Sequence, residues 1–375
     1  MKYRKFGKTG FNASALGFGC MRLPVVNDGT NRIDEPEAIK MLRYAIDNGV
    51  NYIDTAYPYH HGNSEIFVGK ALKDGYREKV KLATKLPVWL VKEYPDFNKY
   101  LDEQLKRLDT EYIDLYLLHA LDKGRWDKLL KLDVFKAMDE YKKSGKVKYM
   151  GFSFHDDVDT FKKIVDSYDW DFCQIQLNYM DENTQAGMEG LKYAASKGLA
   201  VVIMEPIRGG KLAQKPADCI QELWDSAKIK RTPAEWALRW VWNHPEVSVV
   251  LSGMSTMEQV VENLRIADEA EPGSLSAEEV ALVEKVRDTY NSLSKVACTS
   301  CGYCMPCPSG VDIPWNFSFY NEYFMYGGSL EEKKKHFNSM AGNAVKCIEC
   351  GKCEKSCPQK LTIRQYLKDV AALMA

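Results

Sequence analysis

Over the first 270 residues, eight short apolar runs with strand character alternate with eight stretches of helical periodicity, and this alternation limits the fold more than any other feature. The strand-like runs centre on 16–19, 52–54, 80–84, 113–118, 149–153, 172–176, 200–204 and 247–252. The helical patterns cover 36–48, 64–73, 97–108, 128–144, 158–167, 184–197, 233–243 and 257–267. Parallel strands need a long crossover, which a helix supplies. Eight such units fit a closed (β/α)8 TIM barrel better than an open sheet. An open dinucleotide-binding sheet would carry Gly-x-Gly-x-x-Gly after its first strand; Gly17-Phe18-Gly19-Cys20-Met21-Arg22 stands there instead. Ahead of the barrel, residues 3–6 and 11–15 face each other across Gly7-Lys8-Thr9-Gly10 and predict a short hairpin.

The pattern breaks at Glu271-Pro272-Gly273. Ser276-Ala277-Glu278-Glu279 then has the form of a capping box and opens a helix to about Asn291, read as a connector packed on the barrel. Beyond it the composition changes. Of the 11 cysteines in the chain, those from Cys298 to Cys357 crowd into the last quarter. Such clustering reads as metal ligation in a reducing cytosol rather than as a disulfide scaffold. The opening Met1-Lys2-Tyr3-Arg4-Lys5-Phe6 lacks the apolar run of a signal peptide, and no apolar span of about 18 residues occurs. A cytoplasmic protein is expected, with no membrane partner. A net charge of −1 gives no reason to propose nucleic acid or an anionic surface.

The cysteine spacing is specific. Cys298-x2-Cys301-x2-Cys304-x2-Cys307-Pro308 is followed by Cys347-x2-Cys350-x2-Cys353-x3-Cys357-Pro358. The second run is the bacterial ferredoxin pattern, and the first differs only in its last gap. Three close thiolates wrap one face of a cubane, while the distant Cys-Pro serves the other cluster. That rule assigns Cys298, Cys301, Cys304 and Cys357 to one [4Fe–4S] cluster, and Cys347, Cys350, Cys353 and Cys307 to a second. Zinc also uses Cys-x2-Cys pairs, but the triple spacing and the Cys-Pro endings argue against it. The expected organisation is a barrel over 1–270, a connecting helix over 271–294 and a small C-terminal ferredoxin-like iron–sulfur domain over 295–375. Cys20, Cys173 and Cys219 read as buried small apolar residues rather than reactive thiols.

Four residues at strand ends carry chemistry. Asp54 ends one apolar run, Tyr59 follows five residues later, Lys85 closes the next run and His119 the one after. Taken singly, Asp54 could cap a turn, Tyr59 could be loop packing, Lys85 a solvated lysine and His119 a satisfied core histidine. Jointly, at the end of a barrel where chemistry concentrates, they form a proton-donating tyrosine site. The phenol is the acid, the ammonium lowers its pKa, the carboxylate orients the ammonium, and the imidazole orients the substrate carbonyl or shares the proton.

This tetrad resembles that of the aldo-keto reductases in order and nearly in its gaps, and the likeness covers roughly residues 1–270. The whole chain resembles those members that carry a C-terminal ferredoxin-like domain. The resemblance implies that Tyr59 protonates a carbonyl whose carbon receives hydride from NADPH or NADH. Gly19, Cys20 and Met21 would then lie beside the nicotinamide. Gly151-Phe152-Ser153 resembles the motif whose hydroxyl binds the carboxamide, and Gln174 matches the glutamine that does the same. Met204 stands where an aromatic residue usually stacks on the ring, and a thioether can pack there. Arg208, Gly209 and Gly210 suit the pyrophosphate. Ser252, Gly253, Ser255, Gln259, Glu262 and Asn263 resemble the adenosine-binding segment. Gly253 and Gln259 replace the Lys and Arg that hold the 2′-phosphate in many members, which weakens a preference for NADPH.

Nicotinamides trade electrons in pairs and each cluster takes one, so communication between them needs a converter such as a flavin. The sequence carries no flavin signature, although barrels bind flavin without one. Three readings stay open: a carbonyl–alcohol oxidoreductase with structural or sensory clusters, an enzyme exchanging electrons with a protein partner, and a nicotinamide-sensing regulatory subunit. The intact tetrad argues against the third. Pocket candidates are Arg22, His60, His61, Trp89 and Trp126, with Arg22 suggesting a carboxylate-bearing substrate. Lys333-Lys334-Lys335 reads as a solvated helix face, or else as a dock for an acidic ferredoxin or flavodoxin.

Overall fold

The computed structural model describes residues 1–30, 32–298 and 300–375. Strands β1 (Tyr3–Lys5) and β2 (Asn12–Ser14) form the expected antiparallel hairpin, with Tyr3 opposite Ser14. Strands β3 (Leu16–Gly19), β4 (Tyr52–Asp54), β5 (Lys81–Leu86), β6 (Ile113–Leu121), β7 (Val147–Phe154), β8 (Phe172–Gln176), β9 (Ala200–Met204) and β10 (Val247–Ser252) then close into a parallel barrel. Each pairs with the next, and β10 pairs with β3. Most of these strands are buried along their length, as a sheet covered on both faces demands.

The crossovers are α1 (Glu35–Asp47), α2 (Ser64–Ala71), α3 (Pro95–Leu108), α4 (Lys123–Lys131), α5 (Val134–Lys143), α6 (Val158–Asp166) and α7 (Gly187–Ser196). After α8 (Asp218–Asp225) come α9 (Pro233–Trp242) and α10 (Met257–Ala267). Side-chain caps fix several helix starts: Asp34, Asp122, Asp157 and Thr256 accept from backbone N–H groups of the first turns of α1, α4, α6 and α10. The helix expected over 128–144 is two helices, because Asp133 between them is left-handed at φ 55°. The helix α8 was not expected from the sequence; at 8 residues it shows too little periodicity, though Ile220 and Trp224 form its buried face. Strands β5 and β6 also run further than expected, so Lys85 and His119 lie inside them rather than just beyond.

The hairpin closes the end of the barrel where the strands begin. Phe6 is wholly buried, stacks on Phe11 at 4.8 Å and meets Phe172, the first residue of β8, at 5.5 Å and Tyr52, the first of β4, at 5.8 Å. Gly151 is glycine for a packing reason: a Cβ there would stand 2.7 Å from the Phe172 ring. The strand-start end is filled, which leaves the opposite end for the site.

Two compact units divide the chain, one of Met1–Gly209 with Ala234–Ser276 and the other of Gly210–Pro233 with Ala277–Ala375. This division differs from the sequence-based boundary. The helix read as a connector, α11 (Ala277–Ser292), packs within the second unit on α8 and on α12 (Ile313–Tyr326). The second unit continues with α13 (Leu330–Ser339), α14 (Lys352–Ser356) and α15 (Ile363–Met374). Its core includes Val311, Phe317, Phe337, Leu367 and Val370, with the sides of Cys298, Cys304, Cys307, Cys347, Cys353 and Cys357 packed against it. No helix among the described residues is long and apolar enough to cross a membrane.

Candidate active site and cysteine cavities

Lys85 is the centre of the barrel site. Its ammonium is fully buried near the end of β5 and donates to Asp54 Oδ1 at 2.6 Å, to the Thr55 carbonyl at 2.8 Å and to Tyr59 Oη at 3.4 Å. A buried cation needs such partners, since leaving water unpaired costs several kcal/mol. Asp54 ends β4, and Tyr59 opens a short 3-10 turn, Tyr59–Gly62, in which His60 and His61 are left-handed at φ 48° and 56°. His60 Nε2 accepts from the Leu23 N–H at 3.2 Å, which ties this turn to the loop after β3. His60 is therefore engaged in the scaffold, and His61 points to solvent.

His119 arrives by an irregularity that the sequence did not reveal. The β6–β7 register shifts between Leu118 and Leu121, Ala120 takes φ 54°, and its N–H donates to Ser153 Oγ at 2.7 Å. The imidazole meets the Tyr59 ring edge-on at 6.1 Å and the Trp89 ring at 5.1 Å. Trp89 thus borders the site. Trp126 does not: it is buried against Phe135 and Trp170 in the core.

Burial dominates the electrostatics. It raises the Asp54 carboxyl above its ordinary range, with Lys85 opposing. For Lys85 burial disfavours the ammonium, but Asp54 and Tyr59 more than offset it, and its pKa is raised. Burial also raises the Tyr59 phenol; the neighbouring ammonium lowers it, as the sequence led us to expect, but by less. His119 is pushed well below the usual imidazole range, first by burial and then by Lys85, and is neutral at neutral pH.

A second layer supports Lys85. Gln104 Nε2 donates to the Lys85 carbonyl at 3.0 Å and to Thr84 Oγ1 at 3.2 Å. Thr84 Oγ1 donates to Glu65 Oε1 at 2.6 Å, and Tyr116 Oη donates to Gln104 Oε1 at 2.7 Å. Glu65 and Gln104 were not singled out in the sequence. The available signal was a polar residue on the apolar face of each of α2 and α3.

Among the described residues, the buried polar atoms without a hydrogen-bond partner include Asp54 Oδ2, His119 Nδ1 and Gln174 Oε1. An orphaned carbonyl oxygen on Gln174 fits the amide N–H of a nicotinamide carboxamide. Gln174, midway along β8, and Ser153, near the end of β7, are both buried, and Gln174 Nε2 lies 3.6 Å from Met204 Sδ. The Cys20 N–H donates to the Asp54 carbonyl at 2.8 Å, and burial pushes the Cys20 thiol up, as an inert residue. Gly19 approaches the Ser252 carbonyl, which a Cβ would meet at 3.3 Å, and Met21 is exposed. Ser252 Oγ accepts from Asn263 Nδ2 at 3.0 Å, Gln259 Oε1 accepts from the Ser255 N–H at 2.8 Å, and Glu262 is half-buried on α10. Arg208 pairs with Asp181 at 3.2 Å. Gly209 is left-handed and exposed, and Gly210 falls in the second unit.

In the second unit the cysteines sort themselves around two cavities. One, of about 120 Å³, is lined by Cys304, Cys307, Cys347, Cys350 and Cys353; the other by Cys298, Cys301, Cys304 and Cys357. Cys304 lines both cavities, Cys307 lines the one shared with Cys347, Cys350 and Cys353, and Cys357 lines the one shared with Cys298 and Cys301. Among the described residues, no three His, Cys, Asp or Glu side chains converge to hold a metal ion. Thiols spread around a cavity suit the body of a polynuclear cluster better than one zinc ion. Burial pushes the Cys307 thiol up, but hydrogen bonds from Ser309 and the backbone of residues 309–311 more than offset this and favour the thiolate.

The sequence matches the model of the aldo/keto reductase family over residues 15–288 and that of a 4Fe-4S dicluster domain over 297–362. It is 29% identical to an L-galactose dehydrogenase of Arabidopsis thaliana over 78% of this chain and 97% of that protein. It is 30% identical to "Probable aldo-keto reductase 1" of Glycine max over 69% of this chain and 82% of that protein. An aldo-keto reductase from Bacillus halodurans, solved in its holo form, superposes with a TM-score of 0.64 at 30% identity, covering 76% of this chain and 96% of that one. A lysine-centred site at the open end of such a barrel, together with a family match over most of the chain, makes this protein a member of the aldo/keto reductase family, an oxidoreductase of the subgroup with a C-terminal 4Fe-4S domain.

Proposed function

We propose that the protein interconverts a small-molecule carbonyl and its alcohol with NAD(P)H, using Tyr59 as the proton donor. The observation that carries this reading is the buried Lys85 ammonium, shared between Asp54 and Tyr59. When bound, the reduced nicotinamide supplies hydride to the carbonyl carbon. Tyr59 Oη gives its proton to the carbonyl oxygen, and its raised pKa keeps that proton in place at neutral pH. Lys85 stabilises the phenolate left behind, because its charge stands 3.4 Å away in a site screened from water. Asp54 holds Lys85 in position. His119, neutral, offers a single N–H to the carbonyl oxygen and orients it. Gln174 Oε1 and the Ser153 hydroxyl would hold the carboxamide.

The same reading assigns two [4Fe–4S] clusters to the second unit, one held by Cys298, Cys301, Cys304 and Cys357, the other by Cys307, Cys347, Cys350 and Cys353. The lining of the two cavities supports this division. Each cluster would supply one-electron redox capacity or a structural staple, and a cytoplasmic setting suits its thiolates.

Replacing Tyr59 by Phe tests the assignment. The variant should lose about 10²- to 10⁴-fold in carbonyl turnover, the usual worth of a positioned general acid, while still binding the dinucleotide. Turnover that survives undiminished would remove Tyr59 from the proton-donor role.

A further inference from the structure

A large apolar side chain exposed singly is ordinary on a protein surface, but three gathered at one opening are not. Tyr303, Met305 and Ile348 line the cavity of the second cysteine run and expose 71%, 37% and 67% of their surface. Cys350, on the same cavity, is exposed too. The thiol-lined space therefore reaches solvent through an apolar mouth. Core packing does not account for these three residues, because the apolar core of the second unit, with Val311, Phe317, Phe337, Leu367 and Val370, forms without them.

The rim of the mouth is basic. Lys352 lines the cavity, Lys355 follows it by three residues on the same side of α14, and Lys346 directly precedes Cys347. All three lysines are exposed, and none forms an ion pair among the described residues. The acidic side chains beside them are already neutralised. Glu349, which lines the cavity, pairs with Lys368 at 2.8 Å, and Glu354 pairs with Arg364 at 2.8 Å. The field at the mouth is thus positive, although the chain as a whole carries −1. The basic run singled out in the sequence is engaged elsewhere. The Lys333 ammonium lies over the Phe319 ring at 5.0 Å, and Lys334 Nζ donates to the Ala375 carbonyl at 3.0 Å.

We propose that this face docks an acidic one-electron carrier protein, seated on Tyr303, Met305 and Ile348 and oriented by Lys346, Lys352 and Lys355. This rests on the two-cluster reading above. An apolar centre inside a charged rim is the build of a protein interface, and small faces suit transient redox encounters. The rim selects the sign of the partner. A second copy of this chain fits less well, because a two-fold contact through the patch would set its lysines against their own copies. One electron passes from the reduced carrier to the cluster that Cys307, Cys347, Cys350 and Cys353 would hold. The carrier is oxidised by one electron, the cluster is reduced by one, and no bond forms or breaks.

The test is binding of the purified, iron-replete full chain to an acidic plant-type [2Fe–2S] ferredoxin as probe, by surface plasmon resonance at low and high salt. The natural protein should bind at low salt and lose about tenfold or more in affinity at high salt. Joint replacement by Lys346→Glu, Lys352→Glu and Lys355→Glu should weaken low-salt binding by at least about tenfold, with iron content unchanged. Ile348→Ser should weaken binding while leaving its salt dependence in place. Lys333→Glu with Lys334→Glu should leave the Kd unchanged, and a basic cytochrome c should not bind. The salt dependence of the natural protein needs no variant, so it stands even where a substitution disturbs folding. Affinity indifferent to salt and to the three lysines overturns the proposal. So does a loss caused by Lys333→Glu with Lys334→Glu, equal binding of cytochrome c, or a self-dimer that Ile348→Ser dissociates. If the anaerobically reconstituted protein shows no [4Fe–4S] signal by electron paramagnetic resonance after dithionite reduction, the cluster reading falls first and takes this inference with it. Clusters present with no binding of ferredoxin sink the inference alone.

Discussion

Burial, more than any neighbouring charge, sets the protonation of His119, and a pH dependence follows. An ordinary imidazole titrates near pH 6.5, whereas that of His119 is held well below. In the unfolded chain it would take up a proton near pH 6.5; in the folded chain it resists. The stability that a neutral buried His119 allows is therefore present above pH 6.5 and is lost as the pH falls below it. Urea unfolding between pH 7.5 and 5.5 should show a steeper loss of stability for the natural protein than for His119→Gln. The difference would approach one proton, about 1.4 kcal/mol per pH unit. Equal slopes would mean that His119 is not desolvated in solution. Lys85 shows the same physics with the opposite outcome, because Asp54 Oδ1 at 2.6 Å keeps a charge where burial alone would remove it.

Two elements position the site, one by regularity and the other by a defect. The hairpin of β1 and β2 brings Phe6 into the strand-start end of the barrel, where it is wholly buried. Phe6→Ala would leave a ring-sized void among Phe11, Tyr52 and Phe172, and should cost roughly 3–5 kcal/mol in denaturant unfolding. A cost under about 1 kcal/mol, the range of a tolerated surface change, would show that the hairpin does not fill the barrel. The defect is the shift in β6 at Leu118–Leu121, held by Ser153 Oγ on β7. The hairpin was legible, since two apolar runs flank a Gly-Lys-Thr-Gly turn. The β6 irregularity was not, because the run 113–118 reads as a regular strand and its distortion is made by a hydroxyl 33 residues away.

At the scale of the molecule, the second unit has a small apolar core, and the sides of its cysteines form part of it. Small cores of this kind gain much of their stability from bound metal. Anaerobic removal of iron by a chelator should abolish amide-exchange protection in α12, α13 and α15, while protection in the barrel strands persists. Protection in those helices that survives loss of the iron would show that this unit folds without clusters. The family match over 15–288 and the dicluster match over 297–362 agree with this division of roles along the chain.

The sequence by itself determined the barrel, because periodicities of 2 and 3.6 are local properties of the chain, and it named the tetrad and the cysteine runs, because fixed spacings are local too. Tertiary structure alone decided which charges are spent and which are free. Arg208 meets Asp181 across 27 residues, while Arg22 crosses β10 to Gly209 because Gly253 lacks a side chain. It likewise decided that burial outweighs Lys85 in setting the Tyr59 pKa, since desolvation depends on everything that the fold packs around a group.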